Sequence, residues 1–199
     1  IGNKPVQYIP ISADQLSQNL TSEFEHNIDE LKKKMSKLDT ESSEGGVWNI
    51  KGYQAMINHL RSVIDNAEKS IFCSIWNREF DELAPQFSKA VKRGVEIVNF
   101  SFTELDNLLG ENYSYGIDED ELKKIWQRQI IVVVDRKAVL LGSSNQSKDN
   151  QAIWTTNPAV LNISLNNIIL DITLYSQRKK VDVDHILEQL MDKNMGNIE

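Results

Sequence analysis

Ile130 to Val134 is an unbroken run of five β-branched residues, Ile-Ile-Val-Val-Val. It is too short for an ordinary helix and too apolar for a strand with one wet face. It therefore predicts a strand buried on both sides, in a sheet covered by helices on each face. Asp135 and Arg136 read as a polar turn and 138–141 as a second apolar strand that Gly142 ends. Ser143, Ser144 and Asn145 come at once after it, so a dry strand pair delivers hydroxyl and amide groups at its end. That is how α/β proteins build a ligand site.

The 199 residues are enough for one domain with a real core plus an appendage. A net charge of -7 argues against a nucleic-acid surface within this segment, because phosphate binding needs clustered Lys and Arg. The single cysteine, Cys73, sits in an apolar run, which rules out an internal disulfide and fits a reducing, cytoplasmic compartment. No apolar stretch reads as the ~20 residues that span a bilayer, and no signal-peptide pattern opens the chain. Ile1 in place of Met reads as the start of an excised segment. No His or Cys spacing suits a metal, so neither metal nor cofactor is expected.

In order, 1–11 is extended, with Pro5 and Pro10 (domain boundary 1–11). Ser12 and Gln15 have capping-box form. A helix is expected from there to Leu38, with Leu16, Leu20, Phe24, Ile28, Leu31, Met35 and Leu38 as one apolar stripe. The stripe is read either as packing on the chain's own core or as a parallel coiled-coil dimer. The second is favoured because Gly45 and Gly46 end a loop that separates the helix from the rest of the chain, closing a 12–46 dimerising unit. In 47–199 the pattern predicts strand 47–50, helix 53–67, strand 70–76, helix 79–93 and strand 95–101, an α/β alternation of mixed sheet and flanking helices. Residues 103–121 read as an irregular loop or lid. Asn157 and Pro158 start a helix, 168–174 reads as a last strand, and 183–191 as a terminal helix.

Asp135, six residues, then Gly142-Ser143-x-Asn145 resembles the second half of the phospholipase D signature. The signature's nucleophilic His falls on Arg128 and its Lys on Ile130, and a guanidinium that stays protonated cannot serve as that nucleophile. The resemblance implies a phospholipase D-like fold without the chemistry, and no catalytic residue. The ordered set Gly2–Pro10, Val47-Trp48-Asn-Ile50-Lys-Gly52, Ser74-Ile-Trp76, Lys92-Arg93-Gly94-Val95, Gly142-Ser143 and Ala152-Ile-Trp154-Thr-Thr-Asn157-Pro158 resembles the TrmB family of sugar-sensing transcriptional regulators. That resemblance implies a winged-helix DNA-binding domain before this chain, of which 1–11 is the remnant and resembles the last wing strand, a dimerising helix, and an effector domain that binds a ligand, a sugar in the best-known members.

At the carboxyl ends of the strands, Ser74, Trp76 and Asn77, then Ser101 and Thr103, are expected to meet Arg128, Ser143 and Asn145, with Trp154 and Thr155 as a wall. Aromatic faces with hydroxyls and amides suit a sugar, and Arg128 suits a sugar phosphate. Each has a plainer reading. Trp76 and Trp154 can be core aromatics, Asn157 a helix cap, Asp135 a turn residue holding backbone N–H groups, and Arg128 the partner of a carboxylate. Three functions remain in view: an effector-binding, dimerising regulator region; a phospholipase D-type phosphodiesterase or nuclease; and a ligand-free dimerisation module with a plugged pocket.

Overall fold

The chain divides into two units, 1–42 and 43–199. The structure is a computed structural model that describes residues 10–35 of the first and 45–191 of the second. The first unit holds one helix, α1 (Ala13–Met35). Ser12 caps it, its hydroxyl accepting the Gln15 N–H at 3.2 Å and its carbonyl the Leu16 N–H at 2.9 Å. Leu16, Leu20, Phe24 and Leu31 are exposed and Ile28 is half-buried. The Met35 side chain, Leu38 and residues 1–9, on which most of the expected extended segment falls, lie outside the described residues.

The second unit runs β1 (Val47–Lys51), α2 (Tyr53–Asp65), β2 (Ser70–Ser74), α3 (Asn77–Lys92), β3 (Glu96–Thr103), β4 (Glu111–Ile117), α4 (Glu119–Leu122), β5 (Gln129–Val134), β6 (Ala138–Ser143), β7 (Gln151–Thr155), α5 (Pro158–Lys179) and α6 (Asp184–Leu190). Among the described residues the strands form one sheet in the order β1-β7-β6-β5-β2-β3-β4. β2 and β4 flank β3 in parallel, and every other pairing is antiparallel. The expected mixed sheet with flanking helices is therefore present.

Two cores explain why the central strands are dry on both sides. On one face Ile71, Cys73, Val132 and Leu140 pack with Met56, Leu60 and Ile64 of α2 and Phe80, Leu83 and Phe87 of α3. On the other, Phe72, Val98, Phe100, Val133 and Val139 meet Leu161, Leu165, Ile168 and Ile172 of α5 and Ile186 of α6. The period-two alternation sends neighbours such as Ile71 and Phe72 to opposite cores. The turn between β5 and β6 closes with the Lys137 N–H on the Val134 carbonyl at 3.0 Å, and both Asp135 and Arg136 have positive φ (52 and 54).

Four expectations need correcting. The 103–121 loop contains β4 and α4, because Tyr113 and Tyr115 alternate toward the α5 side while the backbone pairs in parallel with β3. Residues 168–174 are helical: Leu161, Leu165, Ile168 and Ile172 recur at helical spacing, and α5 runs 22 residues from its Asn157 cap. β7 shows in the sequence only as a motif, yet it bridges β6 and β1. β6 also passes through Gly142 to Ser143.

α5 is long and apolar enough to cross a membrane by length and composition alone. Here one stripe of it, Leu161, Leu165, Ile168 and Ile172, packs on the sheet, and Asp171 sits within the same helix. Burial pushes the Asp171 carboxyl up to about 6. The folded chain thus holds that proton more tightly than the unfolded chain does. The penalty for ionising it is absent below the ordinary value of 3.8, grows as pH rises, and is complete above about 6. Asp171→Asn is therefore expected to stabilise the domain by on the order of 1–2 kcal/mol at pH 7.5. The gain should vanish in thermal melts near pH 4. A gain of equal size at both pH values would contradict this origin.

Candidate functional site

β2 and β3 end at the same edge of the sheet at which β5 begins and β6 ends. The register pairs Ser74 with both Phe100 and Ile131, and Gln129 with Ser143. Residues immediately outside these strand ends are therefore neighbours. Arg128 precedes β5 and Trp76 follows β2, and the Arg128 guanidinium lies 4.6 Å from the centre of the Trp76 ring, a cation–π arrangement. Both are buried.

The partner of Arg128 is Glu79, which sequence reasoning does not single out as a site residue. Glu79 lies in the first turn of α3, its side chain 1% exposed, with Oε2 3.1 Å from Arg128 Nη2. Its other oxygen accepts Arg78 Nε at 2.8 Å and Nη2 at 2.5 Å, and the Tyr53 hydroxyl at 3.3 Å. Arg78 Nη2 also donates to the Ser144 carbonyl at 2.6 Å, and the Ser144 N–H donates to the Arg128 carbonyl at 3.1 Å. Glu119 of α4 is a second carboxylate on Arg128, bonded to both Nη1 and Nη2. Burial raises the Glu119 carboxyl, but hydrogen bonds from Arg128 and Lys123 outweigh that and leave it below its usual range. Burial, reinforced by the charge of Glu79, pushes the Tyr53 phenol up.

One sequence signal does point to Glu79. It stands four and eight residues before Leu83 and Phe87, on the inward stripe of α3. Asn77 is in the first turn of the same helix, its N–H on Thr103 Oγ1 at 3.1 Å and its amide paired with Asp106. Ser101 is buried and bonds Thr103, 3.0 Å between hydroxyl oxygens. Ser74 is half-buried at the end of β2, two residues before Trp76.

Ser143 and Asn145 organise the loop after β6. The Ser143 hydroxyl donates to Asn150 Oδ1 at 3.0 Å, and the Asn145 N–H donates to the same oxygen at 2.8 Å. Asn150 is 2% exposed, and nothing in the sequence marks it for this role. Trp154 is not brought to this cluster. It lies two residues into β7 beyond the Gly142–Ala152 pair, three strands from β2, with its ring edge-on to His59 of α2 at 4.8 Å. Asp135 is at the far end of the hairpin, a six-residue strand or roughly 20 Å from Arg128. It accepts the N–H groups of Glu68, Lys69 and Ser70 at 3.0, 2.7 and 3.0 Å, the turn-residue role.

An open groove of about 560 Å³ borders the network, lined by Lys51 to Ala55, Glu82 and Gln146 to Lys148. Tyr53 joins the two, its hydroxyl 2.9 Å from Glu82. None of the eight expected ligand residues lines this groove. The buried cluster has charge, hydrogen-bond donors and an aromatic face, but no imidazole or thiol among its members.

Residues 46–166 match the family described as the EBD (effector-binding domain) N-terminal subdomain of the transcriptional regulator TrmB. The uncharacterized protein YrhO of Bacillus subtilis (strain 168) is 25% identical over 195 residues, covering 98% of this chain and 70% of YrhO. Among solved structures, TrmBL2, described as an archaeal chromatin protein with a novel mode of DNA binding, shares the fold at a TM-score of 0.50 and 14% identity. The alignment covers 78% of this chain and spans 62% of the TrmBL2 chain. NucT from Helicobacter pylori aligns at a TM-score of 0.49 and 14% identity, and the phospholipase D family member Nuc from Salmonella typhimurium at 0.48 and 16%. Each of these two alignments covers 65% of this chain and 95% of the other.

Proposed function

Since the chain belongs to the TrmB family of transcriptional regulators, matched over residues 46–166, we propose that it is the effector-binding and dimerisation region of such a regulator. A small molecule, a sugar or sugar phosphate, binds at the Arg128 end of a phospholipase D-like scaffold that does not hydrolyse it. Ser74, Trp76, Asn77, Ser101, Arg128, Ser143 and Asn145 stand nearest that end. The observation that carries this reading is the place of Arg128. It lies where the phospholipase D signature has its nucleophile, inside the family-matched segment, and it is buried on an aromatic ring between two carboxylates. DNA is read by a winged-helix domain outside this chain, in the cytoplasm.

α1 dimerises through Leu16, Leu20, Phe24, Ile28, Leu31 and Met35, with Leu38 next on the same stripe of the sequence, and the helix pair carries the ligand's effect to two DNA-reading heads. A ligand shifts their spacing only by its differential affinity for the two arrangements. At micromolar concentration the chain is expected to sediment as a dimer. Leu20→Glu or Leu31→Glu, placing a charge in the seam, is expected to weaken the dimer by about two orders of magnitude, near 2.8 kcal/mol. A wild-type monomer in the ultracentrifuge would remove the dimer from this reading.

A ligand-free dimerisation module is the second reading. It is favoured by the pairing of the two Arg128 Nη groups with Glu79 and Glu119 within the chain itself.

A further inference from the structure

We infer that the Arg128 end of the sheet is an anion site that the chain fills with its own Glu119, and that an effector bearing a phosphate or carboxylate binds by displacing that side chain. This rests on the effector-binding reading above. The charges make the case. Arg128, with its side chain 6% exposed, and Arg78, 27% exposed, share Glu79. One carboxylate does not neutralise two guanidiniums, and a buried net charge is costly. Glu119, 29% exposed, supplies the second negative charge.

Glu119 is the less firmly held of the two acids. It sits on the four-residue helix α4, which Asp118 caps by accepting the Asp120 and Glu121 N–H groups at 3.0 and 3.1 Å. Lys123, on the next turn, reaches the Glu119 oxygen that accepts from Arg128 Nη1, at 2.8 Å. If Glu119 leaves Arg128, its charge stays paired. Glu79, 1% exposed and bonded to Arg78, Arg128 and Tyr53, has no such escape.

Two buried polar atoms in this place have no hydrogen-bond partner, Arg128 Nε and Ser144 Oγ. Both can donate, and an anion's oxygens are the acceptors they lack. The guanidinium fork suits bidentate phosphate or carboxylate, and the Trp76 ring beside it offers a face to the carbon skeleton. A neutral sugar brings no charge to replace Glu119, so the site selects an anion.

The test is calorimetric titration of the whole chain with glucose 6-phosphate, inorganic phosphate and glucose, for wild type, Glu119→Gln and Asp120→Asn. Asp120 is on the same helix, its side chain 87% exposed, and serves as the charge control. Removing the internal competitor is expected to tighten glucose 6-phosphate binding about tenfold in Glu119→Gln. Asp120→Asn should match wild type, and glucose should bind none of them. Inorganic phosphate binding as tightly as the sugar phosphate, with the same gain in Glu119→Gln, supports the site and assigns the free ion as its occupant. Equal affinity in wild type and Glu119→Gln overturns the displacement. Glucose binding equally to both overturns the anion site and leaves effector binding standing. No binding by any of the three probes to any variant overturns the anion site, and with it the placing of the effector here.

Discussion

Glu79→Ala is expected to lower the unfolding free energy by about 3–5 kcal/mol, read from urea unfolding followed by tryptophan fluorescence. The substitution leaves Arg128 buried against Trp76 with only the half-exposed Glu119 beside it, and strips Arg78 and the Tyr53 hydroxyl of an acceptor. An orphaned buried charge costs far more than the pair contributes. The double replacement Glu79→Leu with Arg128→Met removes both desolvated charges together. It is therefore expected to return to within about 1–2 kcal/mol of wild type. A loss below about 1 kcal/mol for Glu79→Ala would mean that the two side chains are not held as a desolvated pair.

Gly142→Ala is expected to cost about 3 kcal/mol. Gly142 sits inside β6, opposite Ile130 of β5 and Ala152 of β7. Its φ is unremarkable; what requires glycine is the approach of β7. A Cβ here would stand 2.4 Å from Ala152 Cα and 2.5 Å from the Gln151 carbonyl oxygen. Both are backbone atoms of a paired strand, so relief means pushing β7 away, and β1 with it. Hydrogen exchange should report this as faster exchange in β7 and β1 and unchanged protection in β2 and β3. Unchanged protection in β7 would contradict the steric origin.

What is legible in the sequence is what a few adjacent residues encode. The Ile130–Val134 run, the turn at Asp135 and the Asn157-Pro158 start of α5 are local signals, and each lies where it is expected. Asn157 does cap that helix, accepting the Ala159 N–H at 3.0 Å. Short apolar runs are less decisive: 168–174 suits a strand or a buried helix equally, and only the 22-residue length of α5 decides. β4 is obscured by its Asn, Gly and Ser content, although Tyr113 and Tyr115 already alternate. The site depends on distance along the chain. Arg128 stands out because of where it falls in a motif, but its partner Glu79 is 49 residues away, and only the folded sheet edge joins them. Trp154, three strands off in the sheet, groups with them by residue type alone. The close approach behind Gly142 has no sequence signature beyond the glycine itself.

The most direct measurement is thermal unfolding of the whole chain against a panel of sugars, sugar phosphates and nucleotides. If the scaffold holds an effector, one class of compound should raise Tm by about 5 °C or more when present at a hundredfold excess over its Kd. A Tm that no compound in the panel moves would contradict a ligand-holding domain and leave the internally paired Arg128 cluster as a structural plug.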